Sequence, residues 1–77
     1  MKQYKYGDCI PISVKVLTRL RRKGYRPELH HGYITTVKGC NIMAHSWVFC
    51  ADRIIDVTKN MFNEYGGIRQ YQTIRKD

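Results

Sequence analysis

Cys9, His45 and Asp56 lie far apart in the chain, yet their types and settings suit nucleophilic acyl chemistry. Cys9 follows Gly7-Asp8 at the start of a segment that reads as a helix. His45 and Asp56 bracket the stretch AHSWVFCADRIIDVT, residues 44–58, which reads as a tight hairpin. A thiol at a helix N-terminus meets unpaired N–H groups and the positive end of the helix dipole, both of which favour thiolate. An imidazole within reach makes a thiolate–imidazolium pair, and a carboxylate behind it orients the ring and stabilises its charge. Each residue alone has a plainer role, as a core cysteine, a structural histidine or a cap for the segment after Asp56. Together, in this order, they point to a nucleophile, its base and the base's orienting group.

Such a site needs elements that bring the three together. A helix is expected from Cys9 to about Lys23, with Asp8 as its N-cap, Pro11 in the first turn and Gly24 as its stop. Ser13, Val16, Leu17 and Leu20 share one face at helical spacing. After Pro27 the chain turns β-rich: ELHHGYITTV reads as a strand, Met43–Cys50 as a second and Arg53–Val57 as a third. A short helical or irregular segment follows from Thr58, and residues 70–75 read as a last, edge strand. The expected fold is therefore α+β, one N-terminal helix packed on a small antiparallel sheet, in a single domain spanning 1–77.

The register carries the chemistry. With a two-residue turn at Ala51-Asp52, Cys50 pairs with Arg53, Phe49 faces Ile54 and Trp47 faces Asp56. Asp56 then lies diagonal to His45 on the same face, roughly 7–8 Å away between backbones. A three-residue turn sends Asp56 to the other face. The face bearing Trp47, Phe49 and Ile54 is apolar and is expected to pack on the helix.

Composition sets the outer bounds. A chain of 77 residues with 43% hydrophobic content can bury one modest core. No apolar run approaches the ~20 residues that span a bilayer, and MKQYKYGDCIP lacks the apolar block of a signal peptide, so no membrane role and a cytoplasmic location are expected. Of the cysteines, Cys40 and Cys50 read as core thiols. The cysteines and His30, His31 and His45 lack the close spacings of zinc sites, so neither metal nor cofactor is expected. A net charge of +8 and a pI near 9.7 raise nucleic acid as a partner. The densest basic run supplies Arg19, Arg21, Arg22, Lys23 and Arg26, where cations also suit a helix C-terminus.

GlyAspCys at 7–9, HisSerTrpVal at 45–48 and IleIleAspValThr at 54–58 resemble the transglutaminase-like, papain-like superfamily of cysteine enzymes. There, a Gly- or Asp-preceded Cys opens a helix, His-Ala-Trp-Val begins a strand, and Val-Ile-Asp-Pro-Thr follows on the next. KGYRPELHHGYI resembles the segment between, so the likeness runs from about Gly7 to Thr58. Ser46 stands where the family has alanine and Val57 where it has proline. The resemblance implies a thioester route, with Cys9 as nucleophile, His45 moving the proton and Asp56 holding His45. Papain-like relatives also place a glutamine shortly before the cysteine, which makes Gln3, with the Cys9 backbone N–H, the implied oxyanion donor.

Three functions fit this reading. The leading one is a small cysteine peptidase or amidase acting on a peptide or protein, alone or with a partner protein that completes the cleft of so small a version. The second is a non-enzymatic binding or modulator protein on the same fold, of a kind that suits a virus or mobile element. The third is a nucleic-acid binder working through the basic run, with affinity falling steeply as salt rises.

Overall fold

The computed structural model describes residues 7–77. Helix α1 spans Cys9–Arg22, followed by strands β1 (Glu28–Thr36), β2 (Ile42–Cys50) and β3 (Arg53–Ile55), a 3₁₀ helix (Lys59–Tyr65) and strand β4 (Ile68–Lys76). The sheet is antiparallel in the order β3-β2-β1-β4, so the last strand returns to pair with the first and forms one edge. This is the expected α+β arrangement of one helix on a small antiparallel sheet. Among the described residues, no helix is long and apolar enough to cross a membrane.

α1 ends where Gly24, at φ +92°, turns the chain through the left-handed region. The Gly24 N–H bonds to the Arg21 carbonyl and the Tyr25 N–H to that of Leu20, closing off carbonyls the helix leaves open. Its start differs from expectation. Asp8 makes no side-chain cap hydrogen bond; with φ −72° and ψ −15° it is already helical, and its carbonyl accepts from the Ile12 N–H. A capping side chain needs the extended conformation that Asp8 does not adopt.

The two faces of the sheet bury separate clusters. On one, Leu17 of α1 packs with Leu29, Val48 and Cys50, flanked by Val16, Leu20 and Ile55. On the other, Ile34 and Trp47 pack with Phe62 of the 3₁₀ helix, flanked by Met43, Met61, Ile68 and Tyr71. The expectation that Trp47's face meets α1 is thus corrected: α1 takes the Val48–Cys50 face, and Trp47 is buried under the 3₁₀ helix. The reason is supply, since the sequence carries a second apolar cap in Met61-Phe62. Ile54, on Trp47's side of the hairpin, lies beyond that cap and stays exposed. Cys50 is core as expected, whereas Cys40 is exposed at φ 47° in the β1–β2 turn.

The β2–β3 register is the even one: Cys50 with Arg53, Phe49 with Ile54, Val48 with Ile55. The connection is the two-residue turn Ala51-Asp52, with φ of 52° and 61°. Positive φ at both positions is the type I′ turn, which follows strand twist but suits Asn-Gly far better than an alanine. Replacing Ala51-Asp52 with Asn-Gly is therefore expected to stabilise the fold by about 1–2 kcal/mol, read as a raised urea midpoint with unchanged slope.

Candidate functional site

β3 stops at Ile55, and its pairing with β2 stops at Val48. The next outward-facing backbone position on that side of β2 is Ser46, and the start of α1 takes the place of the missing strand. Ser13 Oγ donates to the Ser46 carbonyl at 3.4 Å, while the Ser46 backbone N–H points to the Cys9 sulfur. The N-terminus of α1 is thereby fixed against the open edge of β2. Across that edge sits the side chain of His45, the neighbouring residue, which belongs to the opposite face.

His45 is buried with its Nε2 at 2.8 Å from Asp56 Oδ2. Trp47 stacks on the ring at 6.0 Å between centroids and Phe62 meets it edge-on at 5.1 Å, so the pair sits in an apolar wall that strengthens its electrostatics. Asp56 has its acceptors well used. Oδ2 also accepts from the Tyr71 hydroxyl at 2.8 Å, and Oδ1 accepts from the Thr58 N–H at 3.2 Å and the Thr58 hydroxyl at 3.1 Å. Asp56 therefore both caps the segment that follows it and grips the imidazole; the two roles are not alternatives.

The other ring nitrogen, Nδ1, is buried without a well-aligned partner among the described residues. The Cys9 thiol is its neighbour, close enough to perturb it and be perturbed in turn. Nucleophile–base pairs are often loose before substrate arrives. Burial pushes the Cys9 thiol up, but the His45 ring and the Ser46 and Ile10 N–H groups outweigh it, and the net shift is below the usual 9.0. Burial likewise pushes His45 down, and Asp56 together with Cys9 overturns that and raises it to about 9. Burial would raise Asp56; His45, Tyr71 and Thr58 hold it below its usual value. The Tyr71 phenol, buried against that carboxylate, is held far above its ordinary range and stays a donor. The arrangement favours thiolate, imidazolium and carboxylate in a row.

The structure thus brings together Cys9, His45 and Asp56. Gln3 lies outside the described residues. Arg19, Arg21, Arg22, Lys23 and Arg26 are all exposed around the far end of α1, about 15–20 Å from Cys9 by helix rise. They do not adjoin the site. Sequence reasoning missed Tyr71, Thr58 and the Ser13–Ser46 bond. Asp-x-Thr was a readable turn signal, since an aspartate accepts from the N–H two residues on. Tyr71 had no such signal, because only the pairing of β4 with β1 brings it under Asp56.

A family model described as "Transglutaminase-like superfamily" matches residues 3–73. No curated protein and no solved structure matches the chain.

Proposed function

Since this chain belongs to the transglutaminase-like superfamily, we propose that it is a small cysteine hydrolase, a peptidase or amidase, working on a peptide or protein through Cys9, His45 and Asp56. The observation that carries this is the buried row from the Cys9 thiol through the His45 ring to Asp56, with the His45–Asp56 bond at 2.8 Å. The Cys9 thiolate attacks the amide carbon, forming a C–S bond and an oxyanion. The Cys9 backbone N–H, free of an intrahelical acceptor at the helix start, is one donor to that oxyanion. Collapse breaks the C–N bond, and the amine leaves with the proton held by His45. Water then gives a proton to His45 and attacks the thioester, releasing the carboxylic acid and restoring the thiolate. Asp56 keeps the ring in one orientation and balances its charge throughout. A working thiolate requires a reducing compartment, which the cytoplasm supplies.

Competitive alkylation with iodoacetamide near pH 7, read by peptide mapping, tests this. Cys9 is expected to react at least about tenfold faster than an ordinary cysteine, which is only a few per cent thiolate there. Exposed Cys40 is the internal reference. Equal rates at Cys9 and Cys40 would overturn the hydrolase and leave a binding protein on the same fold.

A further inference from the structure

On the hydrolase reading above, we propose that the substrate is an extended peptide that seats a bulky aliphatic or aromatic side chain, next to the reacting carbonyl, in a groove running from Cys9 across the end of the sheet that α1 leaves uncovered. α1 covers the sheet only as far as Ser46. Beyond it, register puts Ala44 beside Tyr33 on the same face, as Ser46 is beside His31. A hollow of about 310 Å³ opens there, with Cys9, Ile10, His31 and Ala44 in its walls. A second, of about 300 Å³, shares His31 and Ala44 and continues over Tyr33 to Ile74 and Arg75. Each is at the small end of ligand pockets, the scale of a side chain.

The chemistry of the walls selects what enters. Ile10, Tyr33 and Ile74 are 50%, 47% and 63% exposed, leaving apolar carbon uncovered along the groove. The polar side chains beside them are already engaged with one another. Ser46 Oγ bonds to His31 Nδ1 at 2.7 Å, His31 Nε2 bonds to Asp77 Oδ2 at 2.9 Å, and Arg75 Nε lies 3.5 Å from Asp77 Oδ1. With the Nε2 proton directed at the carboxylate, Nδ1 accepts from the serine. This chain neutralises the hydroxyl that Ser46 introduces into the groove. A charged or amide side chain entering must shed water, whereas an apolar one gains by covering carbon.

Peptidyl chloromethyl ketones read this directly. The Cys9 sulfur bonds to the methylene carbon and chloride leaves, so labelling needs no turnover. A series with Ala, Leu, Phe, Asp or Lys at the ketone residue or the one before it is compared by rate of Cys9 labelling. Leu and Phe probes are expected to label about 10- to 200-fold faster than Ala or Asp probes, the range a hydrophobic pocket can discriminate. Ile74→Glu, which charges an exposed rim position lining only the hollow without Cys9, is expected to erase that preference. Rapid iodoacetamide labelling with no preference among the probes, or a preference for Asp or Lys, overturns the groove and leaves the hydrolase standing. A Cys9 no faster than Cys40 with every reagent overturns both.

Discussion

With His45 replaced by alanine, Cys9 is expected to revert to an ordinary buried thiol, and turnover to fall by at least about 10⁴-fold. The imidazole is the principal group that opposes the burial of the sulfur. Without it, desolvation acts against the charged form, leaving only the Ser46 and Ile10 N–H groups and the helix start to favour thiolate. The thiolate fraction near neutrality then drops to a few per cent, and alkylation of Cys9 slows about tenfold or more. The unmodified protein is expected to show a bell-shaped profile for turnover. Its acid limb lies below the usual cysteine value of 9.0, where Cys9 is reprotonated, and its alkaline limb near 9, where His45 loses its proton. These limits belong to the coupled pair. A monotonic rise with pH, following free thiolate, would show that His45 does not hold the proton.

Asp56→Ala is the change expected to cost most in stability, about 3–5 kcal/mol, because it strips the partner from a buried imidazole. His45, Tyr71 and Thr58 all donate to this one carboxylate, so four hydrogen bonds vanish together. Small domains have roughly 5–15 kcal/mol in all, so the loss is measurable by urea unfolding and visible in the folded fraction. Asp56→Asn keeps the volume and separates the two roles: it is expected to fold, but to present His45 in the wrong tautomer and lose about 10⁴-fold in turnover.

The same pair sets a pH window. Asp56 is held below 3.8, so its contribution is present above that pH and fades as pH falls through its folded value. His45 is raised from 6.5 to about 9, so its contribution is complete below 6.5 and is lost as pH rises through 9. The stabilisation from this pair is therefore greatest between about 4 and 6.5, and Asp56→Ala should flatten the pH dependence of unfolding across both flanks.

The register was the most legible feature of the sequence. Cys50 and Arg53 frame a turn that had to be even for Asp56 to share a face with His45, and the pairing is that one. The faces were less legible. Period-two alternation shows that Trp47 and Val48 point opposite ways, but not which of them meets α1. That depended on Phe62, which lies in a segment with weak periodicity of its own. Cys40 looked like core by residue type alone, yet the positive φ of its turn places it outside. The reach of Tyr71 to Asp56 depends on the non-local pairing of β1 with β4, and no local pattern encodes it.

β4 is the last element of the sheet, and its tyrosine sits directly beneath the carboxylate that steers the imidazole. The closing strand thereby adds one of the four hydrogen bonds on this carboxylate, while the β2–β3 hairpin sets His45 against Asp56. On the hydrolase reading, opening that edge is expected to loosen the grip on the imidazole, so the rate at which position 9 is labelled would gauge how much of the population is intact.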